Sequence, residues 1–367
     1  MGKGNKSIAI AFSGGLDSSV VPVLLHEFYG YSYWDMKSVL FDVGQDEKEI
    51  EIAERNCKKL GVEFVRIDAK NHFVRDFVTW NVIANSNRNG YPLGTAMTRQ
   101  MIAYELGAYC TRNGISKVAH GCSEKGNDAK RFCNIFKNFY PMIQLVAPII
   151  DYSMNRKQER ELAKKYYLYV EEGLSHDVNL WSHSIGSGEY VKIGDCVPEQ
   201  KFKWVKKDNV ERRTVLCQVD FRNGCLLKIN GNSKLDEEIS HLNLKLGENG
   251  FGYHETVEEM MTGMKSIEIY ECPAADIIQS AHRMFEQFVY SRKVLMEKML
   301  LEFEYTELTY HGNWFSQRAE EIRKQMEILQ KRVTGSIALE YGKRGIRIYS
   351  FCSEYSLYNE KKRSLEE

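Results

Sequence analysis

The stretch IAIAFSGGLDSSVV at residues 8–21 constrains this chain more than any other, because strand, turn and helix start are compressed into one short segment. Ile8, Ala9, Ile10, Ala11 and Phe12 form a continuous apolar run rather than an alternating one, which suits a strand covered on both faces, as in a parallel α/β sheet. The turn then breaks abruptly to polar. Gly14 and Gly15, next to Ser13, admit backbone conformations and close approaches that a Cβ blocks. Asp17, Ser18 and Ser19 stand where a helix begins before Val20, Val21, Val23 and Leu24. Such a turn aims N–H groups at one point, where the helix dipole favours an anion, so it reads as a phosphate seat. The competing reading is a tight βα turn that binds nothing.

The seat is not the usual nucleotide loop, which carries a Lys-Ser/Thr pair after its last glycine to reach the outer phosphates and magnesium. No lysine follows Gly15. SGGLDSS instead resembles the pyrophosphate loop (PP-loop) of ATP pyrophosphatases, enzymes that cut ATP between its α and β phosphates.

With 367 residues, 43% hydrophobic and 27% charged, the chain is long enough for two domains and a sizeable core. Lys plus Arg and Asp plus Glu both total 50, so the neutral balance leaves no global footprint for nucleic acid or an anionic membrane. The N-terminal MGKGNKSIAI has no apolar signal core, and no apolar run reaches membrane-spanning length, so a cytoplasmic location is expected. Nine cysteines without a CxxC pair argue against a disulfide framework or zinc ribbon and read as mostly buried small hydrophobes. Nine histidines without HExxH spacing indicate no transition-metal site. Magnesium, which needs only oxygens and nucleotide, leaves little trace in sequence.

Strand and helix patterns alternate through the first part of the chain: strand over 37–43, helix over 47–60 closed by Gly61, strand over 62–67, helix over 97–109, strand over 117–120 and an apolar run over 143–150. This alternation predicts a parallel sheet with helices on both faces and functional loops at the carboxyl ends of strands. A helix over 157–167 closes that region. Beyond it the texture turns α+β, with a hairpin over 213–229, a helix over 235–246, one long helix over 274–303, and a last hairpin over 336–351 turning at Gly342. Two domains are therefore expected, 1–165 and 166–367.

Six further strings fall in order along the chain: YPLGTAMTR at 91–99, AHGCSEKGNDAKRF at 119–132, LSHDVNLWSHS at 174–184, GMKSIEIYECPA at 263–274, QKRVTGS at 330–336 and SEYSLYNE at 353–360. Together with the pyrophosphate loop they resemble the argininosuccinate synthase family over almost the whole chain. That resemblance implies a Rossmann-like α/β domain of the HUP (adenine nucleotide α hydrolase-like) type and a C-terminal α+β synthetase domain. It also implies ATP with Mg2+ as cofactor and citrulline and aspartate as substrates. The family adenylates the ureido oxygen of citrulline, releases pyrophosphate, and lets the aspartate amine displace AMP.

By the same resemblance, Ala11, Phe12, Ser13, Gly14, Gly15, Asp17, Ser18, Ser19, Phe41 and Gly121 are implied on ATP. Tyr91, Asn127, Arg131, Ser175, Ser184, Glu258 and Tyr270 are implied on citrulline, and Thr95, Ser123, Asn127 and Asp128 on aspartate. The chemistry is apt, since a carboxylate wants an arginine or amide donor and an ammonium wants a glutamate and hydroxyls. Asp128, Arg131 and Lys125 are the candidates closest to catalysis. Each also has a bland reading: Asn127 and Asp128 as a turn, Tyr270 as strand core, Lys125 as a solvated lysine, and His120 as a satisfied structural group.

The departures from the family pattern cluster. Ser123 and Glu124 stand for Thr-Gly, Cys133 for a glutamate, Val178 for the middle glutamate of DEN, Gln100 for a proline, 248–250 for Lys-His-Gly, Tyr253 for an arginine and Glu255 for an aspartate. A carboxylate at 124 facing the aspartate pocket would repel a dianionic acceptor. A paralogue that couples citrulline or a related ureido compound to another amine is therefore the alternative within the enzyme class. Outside it stand a non-catalytic nucleotide-binding protein and, against the neutral charge, a tRNA-modifying pyrophosphatase. The chain stops at Glu367, short of the family's usual C-terminal arm, and a homo-oligomer, tetramer or dimer, is expected.

Overall fold

The computed structural model describes residues 7–124, 126–170, 176–186, 193–194, 197–206 and 213–358. By its internal contacts the chain divides into two compact units. Unit 1 is Met1–Lys70, Ala96–Leu174 and Glu258–Ser266, and unit 2 is Asn71–Thr95, Ser175–Val257 and Ile267–Glu367.

Unit 1 is the α/β part. In chain order it carries β1 (Ile8–Ala11), α1 (Leu16–Tyr29), β2 (Met36–Asp42), α2 (Glu47–Leu60), β3 (Glu63–Asp68), most of α3 (Gly94–Arg112), β4 (Lys117–His120), α4 (Asp128–Phe139), β5 (Gln144–Val146) and α5 (Arg156–Lys165). The five strands form one sheet in the order β3-β2-β1-β4-β5, and every pairing is parallel. The strand order reverses between β1 and β4, and in such sheets the carboxyl ends at the reversal open the crevice that takes a ligand. Ile8, Ile10, Val20, Val23, Leu24, Leu25 and Leu40 are fully buried, as a strand run without alternation demands. α2 ends where the sequence predicts: Gly61 takes φ 76° and its N–H caps the carbonyls of Cys57 and Lys58. α5 opens on Asn155 and Gln158, which form a reciprocal capping box. The apolar run at 143–150 is not one element. Pro148, which suits the first turn of a helix, ends β5 and starts a short helix, Pro148–Asp151.

Unit 2 is antiparallel sheet and helix. It holds β6 (His176–Val178), β7 (His183–Ile185), β8 (Val215–Arg222), β9 (Cys225–Ile229), α6 (Leu235–Gly247), β10 (Tyr253–Glu259), β11 (Lys265–Glu271), α7 (Pro273–Val289), α8 (Arg292–Tyr310), α9 (Gln317–Gln330), β12 (Gly335–Gly342) and β13 (Gly345–Cys352). The tip between β10 and β11 groups with unit 1. The strands form two sheets, β10-β11-β7-β6 and β13-β12-β8-β9. The single long helix expected over 274–303 is two helices. Tyr290 and Ser291 are extended, with ψ 149° and 154°. α7 buries Ile277, Ile278, Ala281, Phe285 and Val289. α8 instead buries Lys298, Tyr305, Thr306 and Thr309 and leaves Met296, Met299, Leu300 and Phe303 exposed. One straight rod cannot present both faces inward, so the chain turns at Ser291, a residue suited to an N-cap. Among the described residues four cysteines are buried, but Cys133, Cys225 and Cys352 are exposed, because they sit at element surfaces that their sequence neighbours do not reveal.

Candidate functional site

The phosphate loop lies at the carboxyl end of β1. Gly14 takes φ 84°, and a Cβ there would come within 2.8 Å of the Ala53 Cβ. The Ser18 hydroxyl organises the turn from inside. It accepts from the N–H groups of Ser13 (3.3 Å) and Gly14 (3.1 Å) and contacts the Gly15 carbonyl at 3.2 Å. Ser19 Oγ donates to the Gly14 carbonyl at 3.1 Å. The first intrahelical bond of α1 runs from Ser19 N–H to Gly15 O, so the N–H groups of Leu16, Asp17 and Ser18 precede the helix ladder and suit an anion. Gly121, just past β4, has the close approach the motif implies: a Cβ on it would lie 2.8 Å from the Asp17 carbonyl carbon and 2.9 Å from Ser18 N. Ala11 ends β1 half-buried, Phe12 donates its N–H to Val39 O, and Phe41 is buried in β2 with its carbonyl accepting from Gln45.

Glu159, in the first turn of α5, carries no signal in the sequence yet meets Asp17 in the structure. Burial, then the charge of Asp17 and a hydrogen bond to it, push the Glu159 carboxyl up to about 8. Its Oε2 is buried without a hydrogen-bond partner. Two carboxyl groups in contact, one with an orphaned oxygen, make an all-oxygen donor set that would fit Mg2+ once the ion displaced the Glu159 proton.

A second group in unit 1 surrounds the start of α4. Asp128 accepts from Arg99 Nε at 3.0 Å and Arg131 Nη1 at 2.7 Å. Burial opposes its charge, but the two guanidinium groups outweigh this and hold the Asp128 carboxyl below the usual range. Arg131 itself is buried. Asn127 Oδ1 accepts from Met261 N–H at 2.9 Å, and Lys130 Nζ donates to the Met261 carbonyl at 2.9 Å, so the β10–β11 tip is strapped to α4. Glu258 is buried at the start of that strap. Ser123 and Glu124 are exposed. Lys125 and Ser175 lie outside the described residues. His120 is buried, accepts the Cys122 N–H on Nδ1 and is pushed down to about 4 by burial, the structural reading of that histidine.

The remaining site residues come together in unit 2. The rings of Tyr91 and Tyr270 stack with centroids 4.3 Å apart and planes 12° from parallel, both 3% exposed. Tyr270 pairs with Ser184 across β11 and β7, and Ser184 pairs with Asp177 across β7 and β6. Thr95 Oγ1 donates to Asp177 Oδ2 at 2.8 Å and contacts Ser184 Oγ at 3.1 Å. The hydroxyls of Thr95 and Ser184, assigned to different substrates by resemblance, are thus neighbours. Asp177, not assigned a site role from sequence, accepts from Thr95 and so orients that hydroxyl; its place in the LSHDVN string is the signal that could have found it.

Residues 7–168 match the family model described as the arginosuccinate synthase N-terminal HUP domain, and residues 174–367 match the arginosuccinate synthase C-terminal domain. This chain belongs to the argininosuccinate synthase family. Among its relatives, the argininosuccinate synthase of Methanocaldococcus jannaschii is 36% identical over 364 residues, 98% of this chain and 91% of that one. Those of Methanococcus maripaludis and Archaeoglobus fulgidus are both 34% identical, over 98% and 96% of this chain and 92% and 91% of theirs. The family is one of ATP-utilising ligases with a HUP nucleotide-binding domain, and no helix among the described residues is long and apolar enough to cross a membrane.

Proposed function

We propose that this protein condenses L-citrulline with L-aspartate to give argininosuccinate, AMP and pyrophosphate through a citrullyl-adenylate, a step of arginine biosynthesis. The observation that carries this reading is the end-to-end family match with the SGGLDSS turn intact beside Gly121. We take 1–165 as the ATP-binding body and 166–367 as the synthetase body, with Asn71–Thr95 contributed to the second compact unit and Glu258–Ser266 to the first.

In this reading the loop from Ala11 to Ser19 seats the phosphates, Phe41 and Gly121 border the nucleotide, and Asp17 and Glu159 would hold Mg2+. When bound, the ion neutralises charge on the departing pyrophosphate. Backbone N–H groups at the start of α1 do the same from fixed positions. Tyr91, Asn127, Arg131, Ser175, Ser184, Glu258 and Tyr270 bind citrulline, and Thr95, Ser123, Asn127 and Asp128 bind aspartate. Asp128, kept ionised by Arg99 and Arg131, is a hydrogen-bond acceptor for the incoming amine rather than a base. Lys125 contacts phosphate. No covalent enzyme intermediate is required, so catalysis is mostly positioning. A homo-oligomer formed through the second body, dimer or tetramer, is supported by the exposed stripe Met296, Met299, Leu300 and Phe303 on α8. Light scattering that returns the mass of one chain would overturn it.

The deciding experiment incubates the protein with ATP, Mg2+ and citrulline, with and without aspartate, and analyses products by mass spectrometry. Argininosuccinate with stoichiometric AMP and pyrophosphate is expected. Pyrophosphate exchange into ATP with citrulline, but no product with aspartate, would move the assignment to another amine.

A further inference from the structure

Unit 2 holds a cluster that the reaction above does not use. His254 on β10, Cys272 immediately before α7 and Asp276 in the first turn of α7 bring one imidazole nitrogen, one sulfur and one carboxylate oxygen within 4.8 Å of one another. His254 Nε2 lies 2.6 Å from Asp276 Oδ2. Cys272 Sγ lies 3.6 Å from Asp276 Oδ1 and 3.6 Å from the Gly90 carbonyl oxygen. Gly90 makes the approach possible: with φ 97°, a Cβ there would sit 2.7 Å from the His254 ring. Cys272 is fully buried, whereas the His254 side chain is 34% exposed, which opens the cluster to solvent.

We propose that His254, Cys272 and Asp276 form a binding site for a borderline-soft divalent cation of the Zn2+ class, separate from the Mg2+ that accompanies ATP. Mixed nitrogen, sulfur and oxygen donors suit Zn2+ and are poor for Mg2+ or Ca2+, which take oxygens. Bonds of about 2.0 to 2.3 Å in a tetrahedron place donor atoms roughly 3.3 to 3.7 Å apart, so the sulfur and Asp276 are already spaced for it. The His254–Asp276 contact opens by about 1 Å as the cation replaces the proton between them. Uptake releases that proton and the Cys272 thiol proton to water, and one thiolate plus one carboxylate then balance the two positive charges. The Gly90 carbonyl or a water completes the fourth position. A cation so held ties the segment ending in Gly90–Tyr91 to the segment running from Tyr270 to Cys272, and thereby clamps the stacked tyrosines from behind. The plain alternative is a His–Asp ion pair that pins β10 to α7 beside an inert thiol.

The test uses full-length protein treated with chelator, with Cys133, Cys196, Cys225 and Cys352 changed to serine to remove competing thiols. Titration with Co2+ is expected to give one equivalent with thiolate-to-cobalt charge-transfer absorption, displaced by Zn2+ and not by Mg2+. Cys272→Ser should abolish the band. His254→Gln, which keeps a hydrogen bond to Asp276 and hence the packing, removes a direct ligand and should weaken Co2+ binding by more than the roughly 10- to 100-fold that loss of an outer-shell partner costs, with an unchanged melting temperature. Absence of the band at one equivalent, its survival in Cys272→Ser, or undiminished affinity in His254→Gln would each overturn the site.

Discussion

The cores of the two units follow opposite plans. Unit 1 is filled mainly by aliphatic side chains from β1, α1 and β2. Unit 2 buries a polar network: Lys298 Nζ meets Glu286 at 2.9 Å, the Ile83 carbonyl at 2.7 Å, and Glu302. His282 links Asn85 and Gln330 at 2.9 Å each, and Gln279 donates to Asn81 at 2.7 Å. Burial works against the charge of Glu286, but Lys298 and His282 outweigh it and hold its carboxyl low. An apolar core tolerates imperfect partners at a graded cost. A buried ionic core fails steeply when one partner goes, because the other is left charged in a dry place.

The largest effect should therefore come from unit 2. Lys298→Met is expected to cost about 3 to 5 kcal/mol in chemical denaturation. Adding Glu286→Gln should recover part of that loss; a double variant worse than the single would break the contrast. In unit 1, Leu24→Ala is expected to cost about 3 kcal/mol with an unaltered denaturant slope. Gly121→Ala should leave unit 1 folded but displace the Asp17–Ser18 backbone, lowering ATP-dependent pyrophosphate release about 100-fold, equivalent to about 2.7 kcal/mol. A wild-type rate in that variant would sever Gly121 from the loop.

The smallest effect concerns pH. His120 stays neutral in the fold down to about pH 4, while the unfolded chain takes up its proton near 6.5. The unfolded state then binds more protons between those values, so this residue's contribution to stability is full above pH 6.5 and is lost as the pH drops toward 4. His120→Asn should flatten the decline in thermal melts; an unchanged slope would assign the acid sensitivity elsewhere.

The same contrast explains what the sequence made legible. The β1–loop–α1 turn, the Gly61 cap and both C-terminal hairpins are local, so residues a few positions apart declare them. The network of unit 2 pairs residues such as Asn85 and Glu286, far apart in the chain, and no period or motif joins them. The site divides in the same way. The SGGLDSS turn was readable because backbone geometry builds it, whereas Glu159 against Asp17 and Asp177 between Thr95 and Ser184 became visible only once strands and helices were placed. Met296, Met299, Leu300 and Phe303 recur at helical spacing yet face outward, an exposure that periodicity alone does not reveal.

The strap at 258–266 has a further consequence for how the molecule is made. It is the last piece of unit 1 in the chain, and it holds Asn127 and Lys130 through Met261. A ribosome that has released the whole parallel sheet, which ends at Val146, has not yet delivered that latch, and about 110 more residues must emerge before it arrives. The nucleotide-binding half thus waits on the synthesis of its neighbour, so a gene cut between the two family domains would yield a first half that lacks its final tie.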